Sequence, residues 1–508
     1  MAAILLRRYQ QDAISAARAS FEAGHKAPLL VMPTGSGKTV TFAVIARLVL
    51  PKRTLVIAHR KELIEQAVAK IEAVTGIRPG VEMGPRRALA SDPIVVGTVQ
   101  TLAKRKVAGE SFALVVVDEA HHVVADSQYA TAIKASGAKH LLGVTATPYR
   151  ADKRALSAVF DDNPYNLGML DMVDLGRTSG GSEGLCDITV RTLPIQIDMG
   201  AVHVRQGDFV AGEVADVLEP ELARLADIVA AEYADRKLLA FCPLRASSRA
   251  WTELLRARGL PAAHVQGDSP DRAEILAAFA RDEIRFLSNS AVLTEGYDQP
   301  DIDTVLLLRP TKSRGLFAQM VGRGTRLHPG KEGLLVLDPM FVSERHSVMH
   351  AASLVATDGE QEARVTKLMR RGLSMQASVQ ADAAAEKDRL KEALRRAARR
   401  NPYQRRLAEL AIELDDIGLA SWEPTMPWHH ERPSTKQLAA LEQAGISADT
   451  IGSRGLASAV LDRLAQRRLQ GLATLKQVRY ARMLGHTAPE ELTFAEASAW
   501  IGSARQAA

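Results

Sequence analysis

Met32-Pro33-Thr34-Gly35-Ser36-Gly37-Lys38-Thr39 follows an apolar run, Pro28-Leu29-Leu30-Val31, and opens a helical pattern from Val40 to Leu50. Strand, glycine-rich turn, Lys-Thr and helix is the context that a phosphate-binding loop requires. Glycines let the backbone curl so that its N–H groups converge on phosphate oxygens, and the helix N-terminus adds positive potential. Thr34, Gly35, Ser36 and Gly37 would form the cradle, Lys38 would reach the β- and γ-phosphates of ATP, and Thr39 would offer its hydroxyl to Mg2+. Met32 stands where the general pattern has its first glycine. Alone, then, the stretch also reads as a glycine-rich turn ahead of an ordinary helix.

The surrounding sequence favours the loop. Apolar runs at Leu29–Met32, Thr54–Ala58, Ile94–Thr98, Leu114–Val117 and Leu141–Val144 alternate with helical patterns. Short apolar strands separated by helices predict a parallel sheet covered on both faces, with ligands at the carboxyl ends of the strands. Asp118-Glu119-Ala120-His121 lies at such an end, directly after Leu114-Val115-Val116-Val117. Beside a phosphate loop, Asp118 is the expected Mg2+ holder and Glu119 the group that orients and deprotonates water. A plain helix cap with a first-turn acid is the alternative for that pair.

Taken together, Gly35-Ser36-Gly37-Lys38-Thr39, Asp118-Glu119-Ala120-His121 and Thr145-Ala146-Thr147-Pro148 resemble a superfamily 2 helicase of the DEAH type. Within that group the pattern is similar to RadD-like and XPB-like proteins and to the motor subunits of type I restriction enzymes. Leu6-Arg7-Arg8-Tyr9-Gln10 resembles the family's adenine-contacting element, which implies base contacts for Arg7 and Gln10. Ala58-His59-Arg60-Lys61-Glu62-Leu63 and Gly97-Thr98-Val99-Gln100-Thr101-Leu102 resemble the strand-end loops that touch the nucleic-acid backbone. The resemblance thus implies nucleic-acid contacts for His59, Arg60, Thr98 and Gln100, although threonines in such places also serve as caps and turn residues. It further implies that His121, Thr145 and Thr147 link nucleotide state to the nucleic-acid cleft.

A second alternating set runs from about Val217 to Val342, with strand-like runs at Leu238–Cys242, His264-Val265, Phe286–Ser288, Val305–Leu308 and Leu334–Asp338. It has no phosphate loop. It carries Leu293-Thr294-Glu295-Gly296-Tyr297-Asp298 and Gln319-Met320-Val321-Gly322-Arg323-Gly324-Thr325-Arg326. Arginines three apart share a helix face, which by itself describes a surface pair. The second motif resembles the superfamily's arginine-finger element. That resemblance implies that Arg323 and Arg326 reach the γ-phosphate from across a cleft, that Gln319 couples the lobes, and that Gly296 and Asp298 sense nucleotide and nucleic acid. The resemblance spans roughly residues 5–340.

The expected organisation is therefore α/β: two tandem RecA-like parallel-sheet lobes, 1–160 and 217–342, joined by a connector, 161–216. An α-helical C-terminal region follows, with a basic extension and linker at 343–433 and two copies of a roughly 40-residue helical unit at 434–508. The repeat is read from Lys436-Gln437 recurring as Lys476-Gln477, Gly445 as Gly485, and Ala457-Ser458-Ala459 as Ala497-Ser498-Ala499. The recurring Lys-Gln suggests a module for nucleic acid or for a protein partner. The net charge of +6 is concentrated between Lys387 and Arg406, which holds nine basic and two acidic residues. The remainder is close to neutral, and such a segment suits either a polyanion or a solvated helix face.

No run of about 18 apolar residues is present, so no membrane span is expected. Ala2–Leu6 is too short for a secretory signal, and Arg7-Arg8 lies on its wrong side. Two cysteines, Cys186 and Cys242, suit a reducing cytoplasm better than a disulfide scaffold. The expected function is an ATP- and Mg2+-dependent helicase or translocase acting on nucleic acid, DNA over RNA. A double-stranded DNA translocase that separates no strands, an RNA helicase and a nucleotide-gated scaffold are the alternatives. The intact Glu119, Arg323 and Arg326 speak against the scaffold.

Overall fold

The computed structural model describes residues 6–59, 61–105, 107, 109, 111–123, 127–146, 156–205, 207–267, 269–290, 293, 297, 299–342, 348–356, 358–397, 402–416, 419, 422 and 427–507. The chain divides into two compact units, Met1–Gln380 and Ala381–Ala508.

Two parallel sheets make up the first unit. Strands β1 (Pro28–Val31), β2 (Thr54–Ala58), β3 (Gly80–Glu82), β4 (Ile94–Thr98), β5 (Leu114–Asp118), β6 (His140–Thr145) and β7 (Asp162–Asn166) form one, in the order β3-β4-β2-β5-β6-β1-β7. Every pairing in it is parallel. Strands β1, β2, β4 and β5 are buried along their whole length, because helices cover both faces. That explains why they read as unbroken Val/Leu/Ile runs rather than as an alternation.

The second sheet follows. Strand β8 (Ile188–Asp198) precedes a small antiparallel pair, β9 (Val204–Arg205) and β10 (Asp208–Phe209). Then come β11 (Leu238–Phe241), β12 (Ala262–Val265), β13 (Phe286–Asn289), β14 (Thr304–Leu307) and β15 (Leu334–Val342). The order is β12-β13-β11-β14-β15-β8, again all parallel. The strand-like runs of the sequence fall on these elements.

The segment 161–216, expected to be a connector, instead supplies the outer strand of each sheet. Strand β7 pairs with β1 and β8 pairs with β15. The sequence of β7, Asp-Asn-Pro-Tyr-Asn, is polar because an edge strand needs only one paired side.

Within the second unit, described by itself, helices Pro402–Glu413, Thr435–Gln443 and Arg454–Leu469 enclose a core of Leu407, Leu410, Leu414, Leu441, Ile446 and Leu456. The 40-residue repeat is visible as helix, 3-10 turn, helix: Thr435–Gln443, Ala448–Thr450 and Arg454–Leu469, then Leu475–Met483, Pro489–Glu491 and Phe494–Ala507. Gly445 (φ 83°) and Gly485 (φ 97°) each end a first helix in the left-handed region.

The recurring Gln has a structural task in both copies. Gln437 accepts from Ser434 N–H (2.9 Å) and donates to Ser458 Oγ (3.0 Å), while Gln477 accepts from Thr474 N–H (2.9 Å) and donates to Ser498 Oγ (2.8 Å). One amide caps the first helix and ties it to the second. The Lys-Gln recurrence is thus accounted for on the Gln side without a partner.

In the basic segment Lys387 Nζ meets Asp415 (2.8 Å) and Glu491 (2.9 Å), and the buried Lys391 meets Glu490 at 2.7 Å. These two lysines hold the unit together rather than forming a solvated face. The side chains of Arg395, Arg396, Arg399 and Arg400 lie outside the described residues.

Candidate active site

The phosphate loop leaves β1 and turns into the helix Lys38–Val49. Gly35 (φ 88°) and Gly37 (φ 82°) take left-handed conformations that L side chains rarely adopt. A Cβ on Gly37 would also stand 2.5 Å from Gln10 Nε2. Ser36 closes the turn, its Oγ donating to Pro33 O at 2.8 Å. Gln10 accepts from Arg7 N–H (3.1 Å) and donates to Ser36 O (3.2 Å), so its amide braces the loop.

Strand β5 delivers the acids. Asp118 Oδ1 accepts the N–H of Glu119 at 3.0 Å, and Glu119 itself sits at φ 50°, a left-handed turn that swings its carboxylate back over the loop. Glu119 Oε1 lies 3.7 Å from Lys38 Nζ, and Oε2 lies 3.4 Å from His121 Nδ1. Burial would raise this carboxyl, but the Lys38 ammonium and the His121 hydrogen bond outweigh it and hold the group well below the usual carboxylate range. His121 Nδ1 also lies 3.0 Å from Thr145 Oγ1, at the end of β6. Glu119, His121 and Thr145 thus form one connected set across adjacent strand ends.

The second sheet supplies the arginines. Arg323 Nη1 donates to Tyr297 O at 2.7 Å, and Arg326 Nη1 reaches the same carbonyl at 3.5 Å. Arg7, Gln10, Thr34, Gly35, Gly37, Lys38, Thr39, Asp118, Glu119, Arg323 and Arg326 all line one cavity of about 650 Å3. That volume and this mix of cations, hydroxyl and carboxylates suit a nucleotide with its metal. Thr34 Oγ1, buried at the cavity wall, has no hydrogen-bond partner among the described residues. Thr39 and Asp118 face the cavity together, as a Mg2+ site of loop hydroxyl and strand-end carboxylate requires.

Gln319 is buried on the helix Arg314–Gly322, and its Nε2 also lacks a partner among the described residues. Thr98 Oγ1 donates to Thr101 Oγ1 (2.9 Å), and Gln100 Nε2 donates to His59 O (3.3 Å), joining the ends of β4 and β2 away from the cavity. Arg60, Thr147, Gly296 and Asp298 lie outside the described residues. The sequence did not single out Gln66, Lys70, Gly184 or Tyr297, which also line the cavity. For Tyr297 a signal existed, since it stands between Gly296 and Asp298; Gln66 and Lys70 are simply four apart on a helix.

Two facing parallel α/β lobes with a phosphate loop, an acidic strand end and an arginine pair between them define a RecA-like nucleotide-motor core. The comparisons with known proteins agree. Residues 3–150 match the family model "Type III restriction enzyme, res subunit", and residues 221–328 match "Helicase conserved C-terminal domain". The chain is 33% identical over 361 residues to the Saccharomyces cerevisiae protein titled "Putative ATP-dependent helicase IRC3", covering 66% of this chain and 51% of that protein. It is 26% identical over 370 residues to "DNA 3'-5' translocase XPB2" of Sulfurisphaera tokodaii, covering 66% of this chain and 81% of the relative. The solved structure of the type ISP restriction-modification enzyme LlaBIII bound to DNA shares the fold, with a TM-score of 0.54 at 15% identity over 91% of this chain and 43% of that one. The chain belongs to the superfamily 2 helicases. It spans about half the length of the yeast relative.

Proposed function

We propose that this chain is a nucleic-acid-stimulated ATPase that couples hydrolysis between its lobes to movement along the polymer, with DNA as the favoured track. One observation carries the reading: Lys38, Thr39, Asp118 and Glu119 of the first lobe face Arg323 and Arg326 of the second across a single cavity.

In this arrangement Lys38, now balanced by Glu119, turns to the β- and γ-phosphates when nucleotide enters, and Glu119 is released to act on water. Thr39 and Asp118 would hold Mg2+, which neutralises phosphate charge. Glu119 accepts the proton of the attacking water, the oxygen bonds to the γ-phosphorus, and the β–γ bridge breaks to give ADP and phosphate. Arg323 and Arg326 leave the Tyr297 carbonyl for the developing negative charge, a contribution worth about 10³–10⁵ in turnover for such fingers. Because they come from the other lobe, hydrolysis depends on closure. Arg7 and Gln10 stand at the base end of the cavity. His121 joins Glu119 to Thr145, and with Thr147, Gly296, Asp298 and Gln319 it relays nucleotide state. His59, Arg60, Thr98 and Gln100 contact the track.

The DNA preference draws on the DNA translocase title of the archaeal relative and on the motif resemblance. Among the described residues no helix is long and apolar enough to cross a membrane. Both cysteines are free and buried, in keeping with a reducing compartment such as the cytoplasm.

The test is steady-state ATP hydrolysis without polymer and with single-stranded DNA, duplex DNA or single-stranded RNA, using Glu119→Gln as the blank. Stimulation above the blank by DNA is expected. Stimulation by duplex alone selects translocation without strand separation, and stimulation by RNA alone reassigns the track. A rate equal to the blank under every condition would sink the motor reading.

A further inference from the structure

Lys331 lies on the loop leading into β15, and its ammonium meets three backbone carbonyls. Nζ donates to Gly324 O at 2.5 Å, Arg326 O at 2.8 Å and Pro300 O at 3.2 Å. An ammonium has three N–H donors, so the set is complete. Among the described residues no carboxylate forms an ion pair with it. A partly buried lysine spent wholly on carbonyl dipoles, rather than on a counter-ion, fixes backbone.

The backbone it fixes is the part that carries the arginines. Gly324 and Arg326 belong to the turn directly after the helix Arg314–Gly322. The carbonyl between them, Thr325 O, accepts from Cys186 N–H at 2.8 Å, and Cys186 Sγ lies 3.6 Å from Gly324 O. Three successive carbonyls of the turn are therefore held, two of them by Lys331. The third acceptor, Pro300 O, is three residues beyond Tyr297, whose carbonyl receives both guanidinium groups.

We propose that Lys331 is a positioning residue for the arginine pair, clamping the Gly324–Arg326 turn to Pro300 and so setting where Arg323 and Arg326 stand. This rests on the reading that those arginines serve hydrolysis. Placement errors of about 1 Å can cost about 100-fold in rate, so the loss of the clamp should fall on turnover rather than on nucleotide binding, which the first lobe supplies.

The site also has a pH signature. Burial lowers the Lys331 pKa, with Cys186, Asp303 and Asp301 opposing that shift and Arg326 adding to it. Asp301 is itself held by Lys237 (2.7 Å) and affected by His328, and Asp303 lies 3.9 Å from Arg236. The ammonium is therefore lost below the ordinary lysine value of about 10.4, and turnover should fall on that alkaline limb. Burial pushes the Cys186 thiol up, and Cys186→Ala, which keeps the backbone donor, serves as its control.

The experiment measures kcat and KM for ATP, binding of a fluorescent ATP analogue and thermal melting. The 508-residue chain is used with a saturating single-stranded DNA oligonucleotide, from neutral to alkaline pH. The variants are Lys331→Met, Lys331→Arg, Cys186→Ala and Arg323→Ala. For Lys331→Met the expected result is a kcat about 10- to 100-fold lower with KM and analogue binding unchanged. Lys331→Arg should recover much of the turnover and lose the alkaline limb, and Cys186→Ala should keep it. Wild-type turnover in Lys331→Met, or an alkaline limb that persists in Lys331→Arg, overturns the proposal. If Lys331→Met fails to melt cooperatively, the wild-type and Lys331→Arg profiles decide. Normal turnover in Arg323→Ala would instead remove the reading on which the proposal rests.

Discussion

Glu119 occupies a left-handed backbone position, φ 50°, that costs a non-glycine residue about 1–3 kcal/mol. What the strain secures is direction: the carboxylate lies 3.7 Å from Lys38 and 3.4 Å from His121 instead of pointing along the strand. Glu119 and an incoming nucleotide compete for the same ammonium, and the carboxylate repels phosphate besides. Glu119→Gln removes both effects while keeping the shape. It should therefore bind ATP more tightly than the natural protein, yet hydrolyse it about 10²–10⁴-fold more slowly, the usual contribution of a general base. Fluorescent-nucleotide titration and single-turnover rates check the two halves, and weaker binding would mean that Glu119 does not compete for Lys38. Lys38 and Glu119 were singled out in the sequence because each is a distinctive side chain in a short motif that follows an apolar strand. The carbonyls of Tyr297, Gly324 and Arg326 were not, because every residue has one and only the fold says which are used. Gln10 is read as an adenine contact by resemblance, and in the structure its amide braces Arg7 and Ser36.

At the scale of elements, legibility followed burial. Strands β1, β2, β4 and β5 could be read from composition because both faces are covered, whereas β3 has three residues and β7 is a polar edge. The C-terminal repeat was legible as a repeat, but its chemistry was not, since a recurring Gln gives no hint of whether it faces a partner or its own chain. If Gln477 caps the helix Leu475–Met483 and tethers the helix Phe494–Ala507, then Gln477→Ala loses a cap and a side-chain hydrogen bond, together about 1–2 kcal/mol. Hydrogen exchange of amides 494–507 should then accelerate about 5- to 30-fold, while unchanged protection would return the residue to the surface. The buried Lys391–Glu490 pair, with Arg482 at 2.6 Å from the same carboxylate, makes a pH prediction for this unit. Burial would raise the Glu490 carboxyl, but the Lys391 hydrogen bond and the charges of Lys391 and Arg482 lower it. A lowered carboxyl contributes stability above its unfolded value, about 4.3, and that stability is lost as pH falls through the lower folded value. Acid should therefore loosen amides 475–507. Glu490→Gln should cost about 3–5 kcal/mol near neutrality, because it leaves the buried Lys391 without its carboxylate, and should flatten the acid dependence.

On the proposed motor reading, the decisive contact is between the lobes of the first unit. Gly322, the last residue of the helix that precedes the arginine pair, packs on Thr34 of the phosphate loop. A Cβ built on Gly322 would stand 2.7 Å from Thr34 Cβ and 2.9 Å from Thr34 Cγ2. Neither atom is the far end of a flexible side chain, so the clash cannot be relieved by a rotamer change. The conformation of Gly322 is helical, and alanine is favoured over glycine there by up to about 1 kcal/mol. Local stability therefore predicts that Gly322→Ala is tolerated or mildly stabilising, whereas lobe contact predicts that it acts as a wedge. The two arguments separate in the measurement. If closure over Thr34 is what brings Arg323 and Arg326 to the phosphates, Gly322→Ala should melt no lower than the natural protein and keep nucleotide binding by the first lobe. It should nevertheless lose about 100-fold in DNA-stimulated turnover, as a displacement of about 1 Å at the fingers implies. Turnover at the natural level in a well-folded Gly322→Ala would show that the arginines reach the phosphates without the lobes meeting at this point. Hydrolysis would then not report closure, and the coupling of ATP to movement would have to run through the Glu119–His121–Thr145 set instead.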